Sequence, residues 1–224
     1  MKITKSKILN IKSGTGCKFV EPCNIYGCDL GENVFVGPFT EIQKNTYIGD
    51  NTKVQSHSFI CEMVTIGKNC FIAENATIVG EVSMGDQCSV WFNAVIRGDV
   101  HFVKMGNKVN VQDGAVIHCT YQKSPTTIGN NVSIGHNAIV HGCTIKDNVL
   151  VGMGSIIMDD CVVESNSIIA AGAVVTKGTH VESGSIYAGM PAKKIKDISP
   201  ELSSGEIHRI ANNYVKYSSW FKEE

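Results

Sequence analysis

Residues 47–69 read YIGDNTKVQSHSFICEMVTIGKN, with aliphatic residues at Ile48, Val54, Ile60 and Ile66. A period of six fits neither the 3.6-residue turn of an α-helix nor the heptad of a coiled coil. It fits a parallel β-helix: each short strand sends one aliphatic side chain inward, then the chain turns a corner, and three strands close a coil of about eighteen residues. The corners agree. Gly-Asp-Asn follows Ile48 and Gly-Lys-Asn follows Ile66, residue types that tolerate the left-handed backbone of a tight corner.

The step extends in both directions. It runs without a miss from Leu30 through Val36, Ile42, Ile72, Ile78, Met84 and Val90 to Ile96, reaches Phe102, slips by three and resumes at Met105, Val111 and Ile117. After an insertion it returns at Ile128, Ile134 and Val140. A slip of one leads to Ile145, Val151, Ile157, Val163, Ile169, Val175 and Val181. These hexads predict a prism of eight to nine coils over about residues 12–188.

Composition follows from that core. The chain has 224 residues, 43% hydrophobic but only 7% aromatic, with 22 glycines. A narrow prism filled by one aliphatic per side leaves little room for rings. Net charge is −1, which gives no electrostatic drive toward nucleic acid or an anionic membrane surface. No apolar run reaches the length of a membrane span, and the basic start MKITKSKILNIKSG lacks the apolar centre of a signal peptide. Nine cysteines outside a small secreted framework read as reduced thiols in a cytoplasmic protein.

After Met190-Pro191 and the basic run KKIKD the pattern changes. Ile207, Ile210, Ala211, Tyr214, Ser218 and Phe221 recur at helical spacing, predicting an amphipathic helix that Ser204 caps and that lies along the prism.

Seven histidines punctuate the chain. His118 follows the inward Ile117 and His141 follows the inward Val140, so the two stack at one offset in consecutive coils. His136 lies two residues past Ile134, on another side, and can join them only from a neighbouring prism. Three imidazoles and a water would form an open tetrahedral zinc site; solvated surface histidines are the alternative on spacing alone. Arg97 falls one coil below His118, with Asp99 beside it as a partner, and a planar fork suits a fixed contact there. Asp113 shares the offset of His136 one coil below and is placed to hold its ring. Asn110 and Gln112 bring amides to the same region.

The hexapeptide pattern resembles the left-handed parallel β-helix of the hexapeptide-transferase superfamily, and the left hand is implied by that resemblance. The stretches AVIRGDV, NVQDGAVIH, SIGHNAIVHGCTI, VGMGSIIMDD, YAGMPAKKI and ANNYVKYSSW resemble γ-class carbonic anhydrases over residues 67–224. The resemblance implies a homotrimer with zinc, or iron(II) or cobalt(II), between subunits. His118 and His141 would come from one chain and His136 from the next. Arg97 and Asp99 match the family's interface pair. Gln112 and Asn110 match the amides that orient hydroxide and bicarbonate during reversible CO2 hydration. The family's proton-shuttle glutamates are missing: Val100 and His101 follow Asp99, and Cys119, Thr120 and Tyr121 follow His118. His101 or Tyr121 is the expected substitute.

Residues 1–66, with EPCNIYGCDLGENVFVGPFTEIQKN, resemble the start of a sugar-nucleotide N-acyltransferase of the hexapeptide class, in which His57 would be the base and CoA the cosubstrate. The division is therefore coils 1–66, coils 67–190 and a helix over 191–224, with the register unbroken between two resemblances, as in a chimera. Three function classes follow: a zinc hydratase, a CoA-dependent acyltransferase or thioesterase, and a β-helix scaffold without activity.

Overall fold

The computed structural model describes residues 7–221; the first six residues of the basic start and the last three of the tail lie outside them. The chain winds into an all-β parallel solenoid of about ten turns. On the first face Ile60 pairs with Ile42 below and Ile78 above. On the second, Ile48 pairs with Leu30 and Ile66. On the third, Val54 pairs with Val36 and Ile72. The inward residues are almost all inaccessible to water and make one continuous core from Cys23 to Ala192, unbroken near residue 66. The turn count exceeds the hexad count because the stack begins at Ile8–Leu9, before the aliphatic step is regular. A terminal coil is packed on one side only, so its composition is less constrained.

Corner chemistry is dictated by the coil above. A Cβ on Gly49 would sit 2.6 Å from the carbonyl carbon of Gly67, so only hydrogen fits. Asn51 takes φ +56° and its Nδ2 donates to Asn69 Oδ1 at 3.3 Å, continuing an amide ladder up the corner.

The slip after Ile96 is a bulge. Strands Thr77–Met84 and Val95–Met105 bend from the first face onto the second, with a register shift between Gly80 and Val82. Met105 pairs with Met84, whereas Phe102 is half-buried and stands outside the ladder that the sequence step assigned to it.

Two details of the tail differ from expectation. KKIKD belongs to a strand, Ala192–Asp197, folded back antiparallel on Ser185–Gly189; this caps an otherwise open sheet edge. The helical segment starts at Pro200, where Ser199 Oγ accepts from the Leu202 N–H at 3.2 Å. A wide π turn over Ser203–His208 precedes helix Arg209–Ser218, which places Ser204 inside the segment, not at its cap.

The helix covers the third face. Ile207 and Ala211 are buried, Tyr214 meets Trp91 edge-on at 5.1 Å, and Phe221 stacks on Phe71 at 5.0 Å. All nine cysteines are free thiols; Cys70 and Cys88 stack in successive coils and donate to the Gly85 and Gly106 carbonyls. Among the described residues no helix is long and apolar enough to cross a membrane.

Candidate metal centre

Strands Val116–His118 and Ile139–His141 are neighbours on the first face, and His118 pairs directly with His141. The stacking predicted from spacing is present. His118 Nδ1 and His141 Nε2 face each other at 3.1 Å. His118 Nε2–H donates to Asp99 Oδ1 at 3.3 Å, and His141 Nδ1–H donates to Asp159 Oδ1 at 2.6 Å. In a neutral ring these bonds select the tautomer whose facing nitrogen carries a lone pair.

Arg97 lies one coil below. Its Nη1 donates to Asp99 Oδ2 at 2.8 Å and its Nη2 approaches His118 Nδ1 at 3.4 Å, which agrees with an unprotonated Nδ1. Burial, with the Arg97 charge beside it, lowers the His118 pKa and keeps the imidazole neutral. Burial opposes ionisation of Asp99 and Asp159, but hydrogen bonds from Arg97 and His118 to the one, and from His141 and Thr120 to the other, hold both carboxyls below their usual range.

His136 is on a different corner, as predicted. It follows strand Ser133–Ile134 on the third face. Its Nδ1 contacts Asp113 Oδ2 at 2.8 Å, and Tyr214 OH lies 3.5 Å from its Nε2. Asn110 and Gln112 are buried beside it on that face. Asn110 Nδ2 donates to Ser133 Oγ at 2.8 Å, and Gln112 Nε2 donates to Asn110 Oδ1 at 3.0 Å. The amides are thus fixed, with one Gln112 N–H and its carbonyl left over.

Within one chain His136 stands apart from the pair His118 and His141. Among its described residues no group of three His, Cys, Asp or Glu side chains can hold a metal. The pair His118 and His141 nevertheless fits half of one: two ligands on a tetrahedral zinc at about 2.0–2.1 Å are about 3.3 Å apart, close to the observed 3.1 Å.

Of the two expected shuttle residues, Tyr121 is 67% exposed. His101, with Glu62, Glu81, Asp99 and Gln122, lines a groove of about 540 Å³; its Nδ1 accepts from the Phe102 N–H at 2.9 Å. His57 occupies a corner with φ +58°, its ring stacked on Phe39 at 4.8 Å.

Two residues escaped the sequence reading. Asp159 lies one coil above His141 and was accessible to the same eighteen-residue arithmetic. Tyr214 reaches His136 only because the helix docks, and burial with the nearby Asp113 charge pushes its hydroxyl up to about 12.

The family model "Bacterial transferase hexapeptide (six repeats)" matches residues 27–62, 63–98 and 142–177. Protein YrdA of Escherichia coli is 44% identical over 155 residues, covering 66% of this chain and 84% of that protein. A carbonic anhydrase of Geobacillus kaustophilus is 44% identical over 146 residues, 65% of this chain and 79% of that one. The solved UDP-N-acetylglucosamine acyltransferase of Francisella novicida superposes with a TM-score of 0.73 over 91% of this chain and 86% of its own, at 19% identity, a likeness of fold alone. The chain belongs to the hexapeptide-repeat transferase family and has γ carbonic anhydrases among its homologues.

Proposed function

We propose that this protein is a γ-class carbonic anhydrase-like metalloprotein that hydrates CO2 reversibly at the contacts between three copies of the chain. One observation carries the reading: the facing nitrogens of His118 and His141 lie 3.1 Å apart, close to the separation of two ligands on one tetrahedral zinc.

The outer surface supports the trimer. On the first face the outward residues Val95, Val116, Ile139, Ile156 and Val174 stack in register. An aliphatic stripe on the outside of a prism calls for a partner. His136 stands at the corner entering this face and His118 with His141 at the corner leaving it. Three copies with first faces inward close a ring that sets His136 of each copy against the histidine pair of the next.

Neutral imidazoles suit zinc, and also iron(II) or cobalt(II). When bound, the metal supplies the Lewis acidity that brings the pKa of water down to about 7. The chain's own groups do the rest. Asp159 and Asp99 hold the two rings in the ligating tautomer. Gln112, braced by Asn110, offers its free N–H to an oxygen of CO2 or bicarbonate. Arg97 keeps Asp99 ionised. The released proton leaves along the groove beside Asp99, where the Glu81 carboxylate stands exposed and can accept it; the basic nitrogen of His101 is occupied by the Phe102 N–H.

The test is metal analysis with stopped-flow CO2 hydration on wild type and His136→Ala. Stoichiometric metal and hydration, both lost in the variant, are expected. A metal-free, inactive wild type would sink the reading.

A further inference from the structure

A second concavity adjoins the proposed reaction site. Between the C-terminal helix and the third face lies a cleft of about 420 Å³. Leu150 and Ile168 form its prism wall, and Ile210, Tyr214 and Tyr217 its helix wall. Gln112 and His136 also line it, so the cleft shares two residues with the proposed reaction site. Glu206 and Arg209 lie along it as an ion pair at 3.3 Å, which offsets the charge of that carboxylate.

We propose that this cleft binds a small monocarboxylate, R–COO⁻, with the apolar tail between the two walls and the carboxylate at the free N–H of Gln112. The inference rests on the reading that Gln112 handles the bicarbonate anion. Bicarbonate is itself a carboxylate whose substituent is a hydroxyl. Replacing that hydroxyl by an alkyl chain keeps the head group and adds a tail, and the apolar walls line the same cleft as Gln112. Gln112 spends one N–H on Asn110 and has the other for a carboxylate oxygen. Apolar walls with a few convergent polar groups at one place are the usual make-up of a small-molecule site.

The tail gives the proposal a quantitative signature. Each methylene moved from water into the cleft tightens binding about fourfold until the cleft is full. Calorimetric titration of the metal-free protein with acetate, butyrate, hexanoate and octanoate measures this directly. The expected result is a stepwise gain with chain length, flattened in Ala171→Phe, which narrows the cleft, and reduced in Ile210→Ala, which removes part of the helix wall. Pentylamine, with the same five-carbon tail as hexanoate but the opposite charge, is expected to bind at least tenfold more weakly. No dependence on chain length, or a dependence in both folded variants equal to that of the wild type, overturns the proposal, and binding of pentylamine equal to that of hexanoate overturns the carboxylate head. The hydration assay is independent: hydration without a chain-length series removes this inference and leaves the proposed function, and a series without hydration does the reverse.

Discussion

His141 Nδ1 donates to Asp159 Oδ1 at 2.6 Å across one coil step, and this bond decides which nitrogen His141 turns toward His118. Asp159 also accepts from Thr120 Oγ1 at 2.8 Å, so one carboxylate ties the histidine pair to the loop after His118. Asp159→Asn is expected to keep the fold and lower metal affinity 10–100-fold, measured by competition with a chromogenic chelator. Unchanged affinity would remove Asp159 from the site.

A site split between chains can be rebuilt by mixing. His118→Ala and His136→Ala proteins are each expected to be metal-free. After subunit exchange, some contacts carry all three histidines, and part of the metal should return. No recovery after verified exchange would contradict the corner-to-corner arrangement.

The prism's stability rests on contacts between successive coils. Gly49→Ala puts a Cβ against the Gly67 backbone, which cannot move without parting the coils, and a clear fall in thermal midpoint is expected. Asn51→Ala, at φ +56°, should cost about 1–2 kcal/mol in denaturant titration. Equal stability of the Gly49 variant would show that the coils part more easily than their backbone pairing implies.

Helix docking depends on rings. Trp91 meets Phe71, Phe92, Tyr214 and Phe221, and Trp91→Ala is expected to cost about 3–5 kcal/mol. Limited proteolysis should then cut the tail before the prism. Cleavage at the wild-type rate would show that the helix docks without this cluster.

Acid should loosen the loop that follows His118. Ser124 Oγ donates to Asp160 at 2.6 Å, and that bond, with Lys177 nearby, lowers the Asp160 pKa. The folded state therefore binds this proton less readily than the unfolded chain. Its contribution is present above the usual carboxylate pKa of about 3.9 and is lost as pH falls through the lower folded value. Ser124→Ala should flatten this part of the stability–pH curve, and an unaltered curve would assign the acid sensitivity elsewhere.

The sequence was most legible where one rule repeats. Every sixth residue must fit the same narrow interior, so the register, corner residues and stacking of His118 on His141 can be counted along the chain. Arg97 below His118 follows from the same arithmetic, and Asp159 above His141 does too once eighteen is added. Phe102 was misplaced because a bulge breaks the step, and a bulge is chosen by the pairing of two strands. KKIKD became a strand because the last coil leaves an edge to be covered, a demand no local pattern records.

Thus the hexad alone determined a parallel prism with an aliphatic core and placed His136 away from the other two histidines. Only the tertiary structure decided which ring nitrogens face each other, because that depends on hydrogen bonds between coils. It also decided that the helix closes a cleft over Gln112 and His136, because where an amphipathic helix docks is set by the aromatic surface it meets, distant in sequence.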